Sequence, residues 1–260
     1  MVADDGPALD PRIAAPANAF GLAAEDYERA RPTYPPEAIA LLEREVGVGP
    51  GARVCDLAAG TGKLTRLLAA TGAEVVAVEP VPGMRDALTV VVPGVDAHDG
   101  TAEAIPFPDG SFDVVTVAQA FHWFRFDEAL AEITRVLRPG GRLAVLFNER
   151  DARVPWVAEW NQAIDWHNRT IAVYQATDWS GVLTGAGFVD AGSAHVEWEE
   201  PMTMDRLAAR VRSVSYIAEL PADEQQVLVE RVQALAPAGD RDTEPFPVPY
   251  RTHIWWAHRP

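Results

Sequence analysis

The sequence predicts an α/β fold, an open, doubly wound and mostly parallel sheet with helices on both faces. Three observations predict it. Residues 54–63 read as a buried strand, a tight turn carrying Gly60 and Gly62, and a helix start. Residues 74–79 are a short apolar run that ends in the acid Glu79. Strand and helix patterns then alternate as far as Phe147, which requires right-handed crossovers between parallel strands.

Taken in order, residues 1–19 are rich in Ala, Pro and Asp without periodicity and are expected to form a mobile tail. The segment 27–36 is extended, because its prolines do not continue a helix. Pro36 suits a helix's first turn, with Ile39, Leu42 and Val46 on one face and Gly49-Pro50-Gly51 ending it. A strand over 52–57 leads into the glycine turn. The helix after that turn carries Leu64, Leu67 and Leu68 inward and stops near Gly72. A second strand ends at Glu79, a helix covers 82–92, and a short strand sits near 95–98. Residues 100–108 form a loop. The run 112–117 is nearly continuously apolar, as a central parallel strand is. Ala129, Leu130, Ile133, Val136 and Leu137 make a helical stripe closed by Pro139-Gly140-Gly141, and 143–147 is a fifth strand.

After Asp151 the alternation stops. Trp156, Trp160 and Ile164 fall at i, i+4 and i+8 of one helix. Strand character returns over 188–198. Two amphipathic helices follow, one through Met204, Leu207, Val211 and Val214, the other through Leu228, Val232 and Leu235. The chain closes on an aromatic-rich strand over 250–258. There is no internal repeat. Residues 20–260 read as one domain, with cap elements around 20–36, 151–180 and 203–240.

A chain of 260 residues supports one large core. The formal net charge of -16 argues against nucleic acid and anionic membranes as partners, since both select basic faces. The single cysteine, Cys55, excludes an internal disulfide and reads as a buried, inert thiol. No apolar run is long enough to span a membrane, and the first residues lack the basic start of a signal peptide. A cytoplasmic protein is expected. No cluster of His, Cys or acids calls for a metal.

The glycine turn carries the chemistry. Gly60 and Gly62 remove the Cβ atoms that would keep a ligand off the backbone. The following helix start offers N–H groups to electron-rich atoms. Asp56 presents a carboxylate to something cationic or donor-rich. Glu79 lies about 20 residues beyond the turn, the offset at which an acid meets a ribose diol. Together they mean a nucleoside ligand. Lys63 does not complete a phosphate loop, and Gly60-Thr61-Gly62 lacks the third glycine of a dinucleotide fingerprint.

Five motifs recur in a familiar order: Asp56-Leu57-Ala58-Ala59-Gly60-Thr61-Gly62, Val78-Glu79-Pro80, the 101–107 loop, Phe112-Asp113-Val114-Val115 and Leu137-Arg138-Pro139-Gly140-Gly141. Together they resemble the class I S-adenosylmethionine-dependent methyltransferases of the small-molecule "type 11" group. The stretch 119–124 and the upstream Arg31-Pro32-Thr33-Tyr34-Pro35 resemble the branch related to trans-aconitate methyltransferases. The likeness covers 27–148 well, and Pro249-Tyr250-Arg251-Thr252 also looks family-like. It implies a seven-stranded Rossmann-like sheet with helical cap insertions, with S-adenosylmethionine as cofactor and S-adenosylhomocysteine as product. A small-molecule methyl acceptor is implied as partner.

The resemblance places the homocysteine part of the cofactor over Asp56, Ala58 and Gly60, with Thr61 and Gly62 in the same turn. Ala58 stands where many relatives have glycine. Glu79 would grip both ribose hydroxyls, beside Pro80. Met84 either covers the adenine or packs its own helix. Thr101 and Ala102 match the loop bordering adenine, and Thr101 is a weaker acceptor than the Asp many relatives carry. Glu103 is either a neighbouring acceptor or a solvated loop acid. Ala118 and Gln119 complete the cofactor set at the next strand end. Tyr27, Arg31 and Tyr34 belong to a segment that crosses the cofactor mouth in relatives. There Arg31 either pairs with a carboxylate or is a surface arginine.

His122 is the candidate catalytic base, or else a polar bridge to the cofactor's amino-acid end. Trp123 either faces the sulfonium or packs the core. Phe107, Phe121 and Trp123 suggest a partly apolar site. Tyr34, Trp123, Asn148, Trp156 and Trp160 are the candidate acceptor contacts. The expected reaction is methyl transfer to a carboxylate or hydroxyl oxygen. The alternatives are an NAD(P)-dependent oxidoreductase and a non-catalytic module that binds the cofactor.

Overall fold

A computed structural model of the chain describes residues 28, 30–166, 177, 179–237 and 245–260. The N-terminal tail and Tyr27 lie outside them.

The elements are, in order, α1 (Pro36–Leu41), β1 (Arg53–Leu57), α2 (Thr65–Ala70), β2 (Glu74–Val78), α3 (Pro82–Val91), β3 (Asp96–His98) and β4 (Phe112–Ala118). There follow α4 (Phe126–Val136), β5 (Leu137–Arg150), α5 (Pro155–Ala163), α6 (Trp179–Gly185), β6 (Val189–Met202), α7 (Met204–Arg212), α8 (Ser215–Ala218), α9 (Ala222–Leu235) and β7 (Phe246–His258). The strands form one seven-stranded sheet in the order β3-β2-β1-β4-β5-β7-β6. The first five pair in parallel, and β7 enters antiparallel between β5 and β6. The strand order reverses between β1 and β4, and at such a switch point the carboxyl ends of the strands open a crevice for a ligand.

Alternation along the strands gives each face its own core. Cys55, Leu57, Val115, Val117, Val145 and Phe147 meet Leu130 and Ile133 of α4 and Trp179 and Leu183 of α6 on one face. Val54, Val114, Ala144, Leu146 and Ile254 meet α1 and Leu64 and Leu68 around α2 on the other. Cys55 is fully buried, and burial pushes its thiol pKa well up. A third cluster builds the cap: Trp160, Ile164 and Trp166 pack with Leu207 and Val211 of α7 and Val229 and Val232 of α9.

Four boundaries differ from the sequence reading, three of them through strand pairing that sequence does not display. Pro139-Gly140-Gly141 lies inside β5, because the chain leaves α4 directly into a strand whose register shifts against β4. A Cβ on Gly141 would come within 2.8 Å of the Arg138 carbonyl oxygen, so glycine is what the shift requires. β5 also runs on to Arg150, and β6 to Met202, because β7 pairs with β5 from Arg142 to Arg150 and with β6 as far as Met202. The helix expected through Val214 ends at Arg212 and is followed by the separate short α8. No helix among the described residues is long and apolar enough to cross a membrane.

Candidate functional site

β1 ends in Leu57, and the next residue, Ala58, has φ +56. An alanine in the left-handed region costs roughly 1 kcal/mol, which glycine would not. Gln119, following β4, has φ +61. The backbone is thus strained at the carboxyl ends of two neighbouring strands, where strain is commonly tied to function. The two glycines of the turn have different tasks. A Cβ on Gly60 would meet only the Met84 sulfur, at 4.0 Å. A Cβ on Gly62 would lie 3.0 Å from Leu88 and 3.2 Å from Val92. Gly60 therefore leaves room above the turn, whereas Gly62 lets α3 pack close.

Both predicted acids are buried, Asp56 to 1 % exposure and Glu79 to 4 %. Asp56 accepts from the hydroxyls of Thr65 at 2.6 Å and Thr116 at 2.9 Å, tying β1 to α2 and β4. Burial raises its pKa to about 6, although those two hydrogen bonds pull the other way. Glu79 accepts from the backbone N–H of Gly60 at 2.8 Å and of Val81 at 2.9 Å. It couples the glycine turn to the end of β2. Burial raises its pKa to about 7, against those N–H donors and nearby Arg85. Pro80 and Met84 follow at the start of α3, with Met84 buried beside Gly60.

The loop after β3 is fastened to α4. Glu103 accepts from the Arg125 N–H at 2.9 Å, so it is more than a solvated loop acid. Glu132 accepts from the Ile105 N–H, while Arg135 donates to the carbonyls of Ile105 and Phe107. These contacts fix Thr101 and the buried Ala102 beside β4. Phe107 is not part of this edge. It packs edge-on against Phe112, at the opposite end of β4 from Ala118. Six residue steps of strand, about 20 Å, separate the two ends. Phe121 is likewise core, packed against Phe124, Phe126 and Trp179.

The N-terminal segment crosses the glycine turn through Glu28. Its carboxylate accepts from Thr61 Oγ1 at 2.5 Å, Arg66 at 2.8 Å and Lys63 at 3.2 Å. Lys63 is thus a partner of this clamp. Arg31 donates to the Ser213 carbonyl at 2.6 Å, and Asn148 Nδ2 donates to the Thr33 carbonyl at 2.7 Å. Tyr34 is 5 % exposed and packs in the core around α1.

His122 and Trp123 occupy a short 3-10 turn (Phe121–Trp123) after β4. The imidazole lies 4.7 Å from the Trp123 ring and 5.6 Å from Phe147, centroid to centroid. Burial among these rings lowers its pKa to about 3, so it is neutral throughout the physiological range. Trp156 and Trp160 stack on each other at 6.0 Å within the cap cluster, and Trp160 is fully buried. Their helical stripe is a packing stripe. Trp166 reaches a small polar cavity shared with Gln119 and Asn148, and Trp198 lines a larger one with Glu28, Lys63 and Arg66.

These features can be set beside known proteins. A family model described as "Methyltransferase domain" matches residues 55–145. An uncharacterized methyltransferase of Mycobacterium tuberculosis is 42% identical over 218 residues, 83% of this chain and 84% of the relative. The chain belongs to the S-adenosylmethionine-dependent methyltransferase family. A second uncharacterized methyltransferase, from Schizosaccharomyces pombe, is 36% identical over 203 residues, 77% of this chain and 80% of the relative. Among solved structures, a phosphoethanolamine N-methyltransferase of Haemonchus contortus in complex with S-adenosyl-L-methionine superposes with a TM-score of 0.54 at 18% identity. It covers 96% of this chain and 59% of that one, a likeness of fold.

This methyltransferase uses S-adenosylmethionine as cofactor. Its fold brings Asp56, Ala58, Gly60, Glu79, Met84, Ala102 and Gln119 to one edge of the sheet. Sequence reasoning missed Glu28, Glu132 and Arg135, whose partners lie in other segments.

Proposed function

We propose that this methyltransferase moves the cofactor's methyl group to an oxygen of a small organic molecule, and that this oxygen belongs to a carboxylate. The supporting observation is the depressed basicity of His122. With a pKa of about 3, its imidazole has little capacity to take a proton from a hydroxyl near neutral pH. A carboxylate needs no base. Its oxygen attacks the methyl carbon in line, the carbon–sulfur bond breaks, and S-adenosylhomocysteine leaves with the electron pair. Alignment supplies the acceleration, and His122 with Trp123 would shape the acceptor's approach. A hydroxyl acceptor is the second reading. Glu149, whose pKa burial raises to about 7, lines the cavity beside Gln119 and would be its base.

In this reading Asp56, Ala58 and Gly60 hold the homocysteine part, Glu79 the ribose, and Met84 with Thr101 and Ala102 the adenine. The two readings separate in single-turnover rates across pH with saturating cofactor. His122→Ala is expected to slow transfer about 10-fold through lost positioning and to leave the profile's shape unchanged. An ascending limb near neutral pH that vanishes with the substitution would overturn this and restore His122 as the base.

Cofactor binding carries its own pH signature. Burial holds the Glu79 carboxyl at about 7. Ribose hydroxyls donate to its ionised form, so binding lowers that pKa and releases a proton. Affinity is therefore expected to rise as pH increases through about 7 and to level off above it, by at most tenfold per pH unit for one proton. Calorimetry in buffers of different ionisation enthalpy at pH 6.5 detects that proton. An affinity for S-adenosylhomocysteine that stays constant from pH 6 to 8.5 would sink the assignment.

A further inference from the structure

We propose that Asn148 is a positioning residue. Its side-chain amide latches the N-terminal segment over the cofactor crevice, and that latch governs how fast S-adenosylhomocysteine leaves. The inference goes beyond the acceptor reading above and holds whichever atom is methylated.

Asn148 stands near the carboxyl end of β5, opposite Thr252 of β7. Its Nδ2 donates to the Thr33 carbonyl at 2.7 Å, and its Oδ1 accepts from Thr252 Oγ1 at 2.5 Å. Thr252 is fully buried, and its Oγ1 accepts from Trp198 Nε1 of β6 at 2.9 Å. The direction of this chain of hydrogen bonds is fixed at both ends. An indole N–H only donates, so Thr252 gives its one proton to Asn148. A backbone carbonyl only accepts, so Asn148 turns its NH2 group towards Thr33. The flipped amide would satisfy neither neighbour. Three strands thereby hold one carbonyl of the N-terminal segment, at the residue before the buried Tyr34.

The same residue reaches the catalytic edge. The Asn148 carbonyl accepts from Gln119 Nε2 at 3.4 Å, and Gln119 is the strained residue that follows β4. Both line the small cavity at the ends of β4 and β5. At its other anchor the segment is clamped through Glu28 to Thr61, Lys63 and Arg66, beyond the end of β1. In sheet order β4 lies between β1 and β5, so the two anchors straddle the switch-point crevice, about 10 Å apart at ordinary strand spacing. Release of a ligand from the turn beneath Glu28 therefore requires the segment to lift. The Glu28 anchor is held by a carboxylate with three donors, whereas the Thr33 anchor is one neutral hydrogen bond. The second is the weaker, and the segment lifts there first.

The test is the rate at which labelled S-adenosylhomocysteine leaves the enzyme when chased with an excess of the unlabelled compound, read beside amide hydrogen exchange. Asn148→Asp keeps the acceptor for Thr252 and loses the donor for Thr33. It should speed release about tenfold or more and quicken exchange over residues 30–34, while exchange in β1 and β4 stays as in the wild type. Thr252→Val is close in shape and removes the hydroxyl that orients Asn148. It should speed release about threefold or more. Thr252→Ser restores the hydroxyl and should release within about twofold of the wild-type rate. The proposal is overturned if Thr252→Val releases at the wild-type rate, or if Thr252→Ser is as fast as Thr252→Val. It is also overturned if exchange quickens throughout the chain, which would be a loss of fold and not of a latch. Should Asn148→Asp fail to fold, the two Thr252 variants decide alone.

Discussion

Glu79→Ala is expected to weaken binding of S-adenosylmethionine and S-adenosylhomocysteine by roughly 1–3 kcal/mol, about 5- to 150-fold in Kd. Two losses combine. The ribose loses its charged acceptor, and the Gly60 N–H loses the carboxylate that fixes the turn. Glu79→Gln separates them, since the amide oxygen still accepts from one N–H but offers no charge to the ribose. Its deficit should fall between wild type and Glu79→Ala. Calorimetry with S-adenosylhomocysteine measures all three, and an unchanged Kd for Glu79→Ala would remove this residue from the site.

Trp160→Ala is expected to destabilise the protein by about 3–5 kcal/mol. The indole is fully buried among cap residues, stacks on Trp156 and supports the Arg150 guanidinium on its face. Its removal leaves a cavity and exposes a buried cation to loss of support. For a chain of this size that corresponds to a drop of about 10 °C in melting temperature. Trp156→Ala should cost less, because Trp156 is only partly buried. A Trp160→Ala protein that melts within a degree of wild type would show that the stripe is not core after all.

The parts of the fold legible in the sequence were those in which neighbouring residues carry the signal. The strand, glycine turn and helix start over 54–65, the acid closing β2 and the stripe of α4 all depend on spacing within one segment. Trp156 and Trp160 mark the limit of that logic. Periodicity identifies a buried face, but a core and a ligand pocket bury it equally well. Phe107 shows the same limit, since an aromatic in a loop gives no sign of which end of β4 it will pack against.

What stayed hidden depends on segments far apart in the chain. Arg31 meets Ser213 across 182 residues, and Asn148 meets Thr252 across 104. Glu28 reads as one acid among many until the fold sets it over Thr61, Lys63 and Arg66. Arg150 and Arg210 read as ordinary charges on a strand and a helix. Only antiparallel pairing of β5 with β7, which lengthens β5 to Arg150, carries the first into the cap. His122 was identifiable by type and position, but its basicity was not, because that is set by how closely Trp123 and Phe147 enclose it.

The central claim is methyl transfer to a carboxylate oxygen, and the chemical stability of the product tests it most directly. The enzyme is incubated with methyl-labelled S-adenosylmethionine and a panel of small mono- and diacids, hydroxyl compounds and amines, and the labelled products are then treated with alkali. A methyl ester releases its label as volatile methanol, whereas an ether or an N-methyl product keeps it. Transfer to an acid is expected, with label that alkali removes. Label that survives alkali, on a hydroxyl or an amine, would contradict it.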